Sequence, residues 1–226
     1  MNVPLHIANL SVGFGKNILL SGVELALNEG ELVAITGRNG TGKTTLLKTA
    51  AGLLKPLKGQ VNVNGKNIHE ISTRERAKHI SYVSTERVRL GGIDVKTVVA
   101  FGRYAHASAL GWTTNADELI AQQCMENLSI RDLANKSLAE LSDGELQKVM
   151  IACALTQQTS VIIMDEPTAF LDYVAKEELF VLLKRISIEN RIAILLSSHD
   201  IQLVEKFSDR VFVAENNCVV EVLHGQ

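Results

Sequence analysis

A glycine-rich stretch that ends in a lysine and two threonines is the part of the sequence whose residue types and spacing point most directly to chemistry. Glycines let backbone N–H groups turn towards phosphates, and the start of a following helix adds a partial positive charge. We expect Lys43 to bind the β- and γ-phosphates of a nucleotide and to assist catalysis, and Thr44 to ligate Mg²⁺ through its hydroxyl. The alternative is an ordinary glycine-rich turn. The spacing is that of a phosphate loop, whose expected nucleotide-binding residues are Gly37, Arg38, Asn39, Gly40, Thr41, Gly42, Lys43, Thr44 and Thr45.

Two adjacent carboxylates, Asp165 and Glu166, directly follow the apolar stretch 161–164. A buried strand of that kind ends where α/β sheets place their ligand sites. We expect Asp165 to hold Mg²⁺ through water and Glu166 to act as the general base that polarises an attacking water. The alternative is a solvated strand end or a helix cap, and the accompanying phosphate loop favours the catalytic interpretation.

A third candidate begins at Ser142, with Gly144 and Glu145 shortly after it. A serine followed three residues later by a glutamate is a capping box, which explains both residues as the start of a helix. The same geometry also suits a function, because a capped helix N-terminus with serine and glycine is an anion site. The residues alone leave both interpretations open.

These residues need a scaffold, and the apolar patterns predict an α/β fold with a β-rich N-terminal part and a helical insertion. The chain should contain a hairpin turn at Asn64-Gly65, because both residues tolerate positive φ. The other expected strands are 5–12, 18–27, 31–36, 161–164, 192–197, 211–214 and 219–223. The expected helices are 43–54, 95–102, 116–128, one that starts near residue 142, and 176–188.

The composition excludes several classes of protein. The chain has 226 residues, 46% of them hydrophobic, and a formal net charge of −2, so it should fold and is not a strongly basic nucleic-acid binder. No run of 18 apolar residues predicts a membrane span, and the N-terminus lacks a signal-peptide pattern. Cys124, Cys153 and Cys218 lie far apart, which argues against a disulfide framework or a zinc site.

The order of the motifs resembles that of the ATP-binding subunits of ABC transporters. In that family a phosphate loop is followed by Leu-Ser-x-Gly-x, by four apolar residues with Asp-Glu-Pro, and by a histidine motif, here Ser198-His199-Asp200. The resemblance covers nearly the whole chain. The usual signature is Leu-Ser-Gly-Gly-Gln, so Asp143 and Glu145 depart from it, whereas Ser142 and Gly144 are retained.

The resemblance implies an α/β fold of the P-loop NTPase class, with an ABC ATPase core, an N-terminal antiparallel β subdomain and a helical insertion. A single ABC ATPase domain would span residues 1–226. Its core would comprise residues 1–85 and 158–226, and the helical subdomain with the signature would comprise about residues 86–157.

The resemblance also implies nucleotide contacts. Phe14 aligns with an aromatic residue that stacks on adenine, with a core or turn aromatic as the alternative. Asp172 lies in the segment that carries an inter-subunit aspartate, and Ser142 with Gly144 would face ATP bound to a second copy. His199 aligns with a switch histidine that contacts the γ-phosphate and steadies the attacking water, whereas a histidine at a strand end is otherwise structural.

One position departs from the family in a way that affects the metal. A glutamine that reaches Mg²⁺ and the attacking water is replaced here by Thr85, and Glu86 follows it. We expect the carboxylate of Glu86 to take over as a metal ligand and γ-phosphate sensor, because Mg²⁺ favours hard oxygen ligands. Alternatively, Thr85 caps the first helix of the insertion and Glu86 lies at its positive end.

The partners implied by the resemblance are ATP and Mg²⁺, a second copy of the chain, transmembrane permease subunits and, indirectly, a substrate-binding protein, without nucleic acid. Two segments, Phe101-Gly102-Arg103 and residues 166–173, resemble the corresponding segments in the ATPase subunits of importers of iron–siderophore, haem or cobalamin. Residues 104–112 would contribute to permease docking or to the core. The expected location is cytoplasmic, peripheral on the inner face of the membrane through the permease.

Two other functions are weighed against transport. A soluble ABC ATPase outside transport usually joins two ATPase halves or inserts a long coiled coil, and 226 residues leave room for neither. An ATP-binding regulatory module with little turnover would not need Glu166 and His199, although the altered position at Thr85 keeps that function open.

Overall fold

A computed structural model describes residues 3–86, 91–107 and 114–222. Contacts between residues divide the chain into two compact units, one made of residues 3–85 and 160–222 and the other lying within 86–159. The strands of the described residues all belong to the first unit, and they are β1 (Leu5–Phe14), β2 (Asn17–Leu27), β3 (Leu32–Thr36), β4 (Lys58–Val63), β5 (Lys66–Asn67), β6 (Ile80–Val83), β7 (Val161–Met164), β8 (Ala193–Ser197), β9 (Arg210–Glu215) and β10 (Cys218–Val222). That one domain spans 1–226, with a helical part at about 86–157, stays a prediction.

The helices of the described residues lie in both units. They are α1 (Lys43–Ala50), α2 (Thr73–Arg76), α3 (Val95–Ala100), α4 (Asn115–Asn127), α5 (Asp143–Thr156), α6 (Tyr173–Asn190) and α7 (Ile201–Phe207). Helices α3, α4 and α5 belong to the second unit, together with the short 3₁₀ helices Phe101–Ala105, Arg131–Leu133 and Leu138–Glu140. Within residues 3–86, 91–107 and 114–222, we find no helix with both the length and the apolar character that a membrane span requires.

The first unit contains two sheets. An antiparallel sheet has the strand order β2-β1-β4-β5, and a larger sheet has the order β10-β9-β3-β8-β7-β6. In the larger sheet the strands from β9 to β6 are parallel to their neighbours, and β10 pairs antiparallel with β9. The predicted α/β architecture with an N-terminal antiparallel part is therefore confirmed.

Helix α1 shares one core with both sheets. Its Leu46, Leu47 and Ala50 are fully buried in a cluster that includes residues of β1, β3 and β8. Strands β3, β7 and β8 are buried along their whole length, as continuous apolar runs in a parallel sheet require. The core therefore fixes the start of α1 against the carboxyl ends of these strands.

Most predicted elements are present, with shifted boundaries. In the first hairpin, strand β1 ends at Phe14 and strand β2 begins at Asn17. The hairpin at Asn64-Gly65 has positive φ at both residues, as predicted. Helix α1 ends at Ala50 rather than Leu54, because Gly52 takes φ +74° and closes the helix with a bond from its N–H to the Thr49 carbonyl. Strand β6 and the short helices α2 and α7 were not predicted, and position 223 of the closing hairpin lies outside the described residues.

The second unit is organised around a buried arginine. Nε of Arg103 donates to Oδ1 of Asp117 at 2.7 Å, and Nη1 donates to the Thr156 carbonyl at 3.1 Å and to Oε1 of Gln158 at 2.8 Å. Asp117 also forms a reciprocal capping box with Thr114 at the start of α4. One guanidinium thus joins the 3₁₀ helix at 101–105 to α4 and to the end of α5.

Candidate functional site

The phosphate loop connects β3 to α1, as the sequence predicts, and two of its glycines are required by their surroundings. Gly37 has φ +140°, and a Cβ there would lie 2.4 Å from the Ala214 carbonyl oxygen. Gly42 has φ +102°, and a Cβ there would lie 2.9 Å from Cβ of Leu19. A side chain at either position would displace the loop, so these glycines maintain its backbone path.

Lys43 lies across this loop and is 5% exposed. Its Nζ donates to the carbonyl oxygens of Gly37 at 2.9 Å and Arg38 at 3.0 Å. Burial lowers the pKa of Lys43, and the carboxylates of Glu166 and Asp165 partly oppose that shift. The ammonium group therefore lies beside the loop backbone and near two carboxylates, where it can bind an anion.

Thr44 and Asp165 meet at the expected metal position. Oγ1 of Thr44 donates to Oδ1 of Asp165 at 3.1 Å, and Oγ of Ser197 donates to the same oxygen at 2.8 Å. Oγ1 of Thr85 donates to the backbone carbonyl of Asp165 at 2.7 Å. Ser197 is not among the site residues predicted from the sequence, where its only signal is a hydroxyl at the end of the strand that precedes His199.

Glu166 follows with an unusual backbone. Its φ of +47° is in the left-handed region, which non-glycine residues seldom adopt, and its N–H donates to Oγ of Ser197 at 2.9 Å. Oε1 of Glu166 lies 2.6 Å from Nε2 of His199. The structure therefore brings together the expected general base and the expected switch histidine.

The register of the parallel strands explains this assembly. Ile35 of β3 is paired with Ser197 of β8, and Leu196 of β8 is paired with Met164 of β7. The residues that follow β3, β8 and β7 consequently lie along one edge of the sheet, where ligands bind in open α/β sheets. A cleft of about 530 Å³ on this edge is lined by Gly37, Arg38, Thr41 and His199, among others.

Asp172 is the N-cap of helix α6. Its Oδ1 accepts from the N–H of Ala175 at 2.9 Å and caps α6. Before it, Phe170 has φ +71° and is largely exposed. The expected contact of Asp172 with a second copy stays a prediction.

Ser142 is the N-cap of α5. Its Oγ donates to Oε2 of Glu145 at 2.7 Å and accepts from the N–H of Glu145 at 3.3 Å. The hydrogen bond from the Ser142 hydroxyl lowers the pKa of the Glu145 carboxyl, and the bond from the Ser142 backbone adds to the shift. The capping box is present, and Gly144 lies in the first turn beside it. That the start of α5 also binds the phosphates of ATP on a second copy stays a prediction.

Two further residues, expected to contact the adenine base and the metal, lie at the surface. Phe14 is the last residue of β1 and is 60% exposed, so it is not a core aromatic. It pairs with Asn17 beside the β1–β2 turn, so it fits the turn aromatic of the alternative interpretation, and its contact with adenine stays a prediction. Glu86 is exposed, and the hydroxyl of Thr85 is engaged with Asp165. The helix proposed to start at Thr85 would run into residues 87–90, which lie outside the described part of the chain, as do residues 108–113 of the docking segment.

The donor set fits a magnesium nucleotide. In the described ranges 3–86, 91–107 and 114–222, no group of three or more His, Cys, Asp or Glu side chains could hold a metal ion. The hydroxyl of Thr44 and the carboxylate of Asp165 are hard oxygen donors in contact with each other. Mg²⁺ is usually held by one or two such groups together with substrate phosphates.

A glycine-rich loop between a parallel strand and a helix, with an aspartate at the end of another parallel strand of the same sheet, defines a P-loop nucleoside triphosphatase. The model of the ABC transporter family matches residues 20–169. The chain belongs to this family, and it is an ABC-type ATPase, an ATP-binding subunit of a transporter.

Individual relatives agree with this assignment. The chain is 42% identical over 216 residues to an ABC transporter ATP-binding protein of Methanocaldococcus jannaschii, covering 96% of this chain and 74% of the relative. It is 30% identical over 217 residues to the iron(3+)-hydroxamate import ATP-binding protein FhuC of Bacillus subtilis, covering 96% and 81%.

Solved structures show the same fold. An ATP-binding cassette of an ABC transporter in its ADP conformation superposes with a TM-score of 0.86 at 26% identity, covering 97% of this chain and 90% of that one. A bacterial ABC transporter cassette with a dimeric structure has a TM-score of 0.83 at 25% identity, covering 98% and 99%.

Proposed function

We propose that this ATPase hydrolyses Mg²⁺-ATP to power import of an iron–siderophore, haem or cobalamin-type compound through a separate membrane permease. The observation that carries the chemistry is the contact between Thr44 and Asp165, with Glu166 and His199 paired beside it. The substrate class is supported by the 30% identity to the iron(3+)-hydroxamate import protein of Bacillus subtilis.

Each side chain has a distinct part in this proposal. Lys43 and the loop N–H groups bind the phosphates, while Thr44 and Asp165 hold Mg²⁺, which when bound neutralises phosphate charge. Glu166 accepts a proton from the attacking water, and His199 orients the Glu166 carboxylate and contacts the γ-phosphate. Glu86 serves as an additional oxygen ligand near the metal.

The proposal includes a second copy of the chain. Ser142 and Gly144 of one copy would bind the ATP held by Lys43 of the other, Asp172 would lie between the copies, and Phe14 would stack on adenine. ATP then favours the dimer because it binds the closed state better, and hydrolysis removes that preference. The dimeric cassette of similar fold supports this arrangement. Association with the permease would place the protein on the inner face of the membrane.

Co-expression with a candidate iron–siderophore permease tests the proposal. The expected result is a complex that purifies together in detergent and whose ATPase activity rises when it is reconstituted with the substrate-loaded binding protein. An ATPase that neither associates with the permease nor responds to the loaded binding protein would contradict the transport function. The ATPase chemistry would then stand without the import function.

A further inference from the structure

A fully buried hydroxyl, that of Ser197, connects the two carboxylate residues of the candidate site. Its Oγ donates to Oδ1 of Asp165 at 2.8 Å and accepts from the N–H of Glu166 at 2.9 Å. We infer that Ser197 is a positioning residue that couples the metal-holding aspartate to the backbone of the general base. This inference rests on the proposed function.

The sheet register makes this contact a consequence of the fold. Met164 and Leu196 are paired across β7 and β8, so Asp165, which directly follows β7, lies next to Ser197, the last residue of β8. A hydroxyl can donate one hydrogen bond and accept another at the same time, which both contacts of Ser197 require. Alanine and valine can do neither, whereas threonine retains both capacities.

The first contact fixes the aspartate. Oδ1 of Asp165 receives hydrogen bonds from two hydroxyls, those of Ser197 and Thr44. The Thr44 hydroxyl is itself an expected metal ligand, and it can keep this hydrogen bond because its oxygen lone pairs remain available to the metal. The Ser197 hydroxyl is fully buried and is not an expected metal ligand, so its hydrogen bond to the carboxylate has a positioning role.

The second contact fixes the general base. Glu166 has φ +47°, a conformation that persists in a non-glycine residue only when its surroundings impose it. The N–H of Glu166 is held by Ser197, and its side chain reaches His199 at 2.6 Å. Without the hydroxyl, the backbone at Glu166 can relax and turn the carboxylate away from its working position.

A suitable control serine exists elsewhere in the same unit. Ser187 in α6 is also fully buried, and its Oγ donates to the Ile192 carbonyl at 3.0 Å. Ser187→Ala therefore removes an equally buried hydroxyl without touching the carboxylates. Any effect common to both alanine variants reports stability alone.

The experiment uses the full chain and compares Ser197→Ala, Ser197→Thr and Ser187→Ala. Three quantities are measured for each: ATP affinity without Mg²⁺ by calorimetric titration, the gain in affinity on adding Mg²⁺, and kcat with KM for ATP hydrolysis. For Ser197→Ala we expect unchanged metal-free ATP affinity, and a loss of about 10- to 100-fold in kcat and in the Mg²⁺-dependent gain. Ser197→Thr should restore most of both, and Ser187→Ala should change neither.

If Ser197→Ala lowers the melting temperature but keeps the Mg²⁺ gain and kcat of Ser187→Ala, the hydroxyl is structural and the inference is wrong. Should Ser197→Ala not fold, Ser197→Cys replaces it, because a thiol retains the volume but is a weak donor and acceptor; normal kcat in that variant overturns the inference equally. Failure of the proposed function looks different, because the wild-type chain itself would then show no Mg²⁺-dependent hydrolysis.

Discussion

Nε2 of His199 lies 2.6 Å from Oε1 of Glu166, although the two residues belong to different loops. Each follows its strand, β8 or β7, by two positions, and the two strands are parallel neighbours. The fold therefore pairs a proton acceptor with an imidazole that can orient it or share its proton. In this arrangement the contact with His199 gives the carboxylate of Glu166 a fixed direction.

Glu166→Gln should retain ATP binding and abolish turnover, because an amide cannot accept the proton of the attacking water. We expect ATP to drive a stable dimer of this variant, visible by size-exclusion chromatography, with no phosphate release. Glu205→Gln on the exposed face of α7 is the matched control and should hydrolyse ATP normally. Near-normal phosphate release by Glu166→Gln would remove Glu166 as the base.

Lys43→Ala should weaken ATP binding itself. The Nζ group is the buried cation of the loop, and a charge-assisted hydrogen bond of this kind contributes about 1.5–3 kcal/mol, or roughly 10- to 100-fold in affinity. The measurement is ATP titration by calorimetry, with Lys48→Ala in the same helix as the control. Equal affinities for Lys43→Ala and the control would exclude the phosphate role.

The phosphate loop and the sheet could be predicted because their signals are local. Glycine spacing from Gly37 to Gly42 and the apolar runs 161–164 and 192–197 each lie within a few residues. Strand β6 is as short as β7, but Ser81 and Tyr82 interrupt its apolar run, and the four residues of α2 are too few for a helical period to stand out. The end of α1 depended on a single positive φ at Gly52.

The contacts within the site could not be predicted in the same way. Ser197 meets Asp165 because two strands are paired in one register, and no local pattern encodes that pairing. The hydroxyl of Thr85 likewise reaches the Asp165 carbonyl across 80 positions of sequence. The sequence therefore predicts which chemical groups are available, and long-range packing decides which of them touch.

Ser142→Ala separates the two interpretations of the signature. A helix cap alone predicts a loss of about 0.5–2 kcal/mol in stability with activity per folded molecule retained. A phosphate role in a second copy predicts a folded monomer that binds ATP but dimerises and hydrolyses poorly, which is the outcome we expect. Ser137→Ala is the matched control, because Ser137 forms the same reciprocal box with Glu140 at the 3₁₀ helix 138–140. A purely thermal effect, equal in both variants, would refute the phosphate role.

Arg103→Met should destabilise the second unit by about 3–5 kcal/mol, because it leaves the buried carboxylate of Asp117 without its cation.

The backbone N–H of Thr114 and the Arg103 guanidinium lower the pKa of Asp117 from 3.8 to about 2. Because the pKa is lower in the folded state, the ionised Asp117 carboxylate stabilises the folded state fully above pH 3.8. This contribution to the free energy of unfolding is lost as the pH falls through about 2. When unfolding by denaturant is measured between pH 2 and 7, the free energy of unfolding should therefore fall more steeply towards acid pH in the wild type than in Asp117→Asn. Parallel pH profiles would contradict this assignment.

Glu86 is expected to contribute an oxygen near the metal because Thr85 has a shorter side chain than the glutamine usual in the family, and Mg²⁺ favours hard oxygen ligands such as a carboxylate. The hydroxyl of Thr85 is already donated to the Asp165 carbonyl at 2.7 Å, and Glu86 is exposed at the end of the same segment. A carboxylate near phosphates is favourable only when a cation lies between them, so its contribution should depend on Mg²⁺.

Glu86→Ala should accordingly lower Mg²⁺-dependent ATPase activity and loosen coupling to the permease, and leave ATP binding without Mg²⁺ intact. Thr85→Gln, which introduces the residue usual in the family, should recover part of that loss in the double variant. Thr85→Val is the control, since it removes the hydroxyl contact with Asp165 without supplying an amide. Steady-state hydrolysis across a Mg²⁺ titration, with transport in reconstituted vesicles, measures both effects. If Glu86→Ala hydrolyses ATP normally and still supports transport, Glu86 has no part in the metal site.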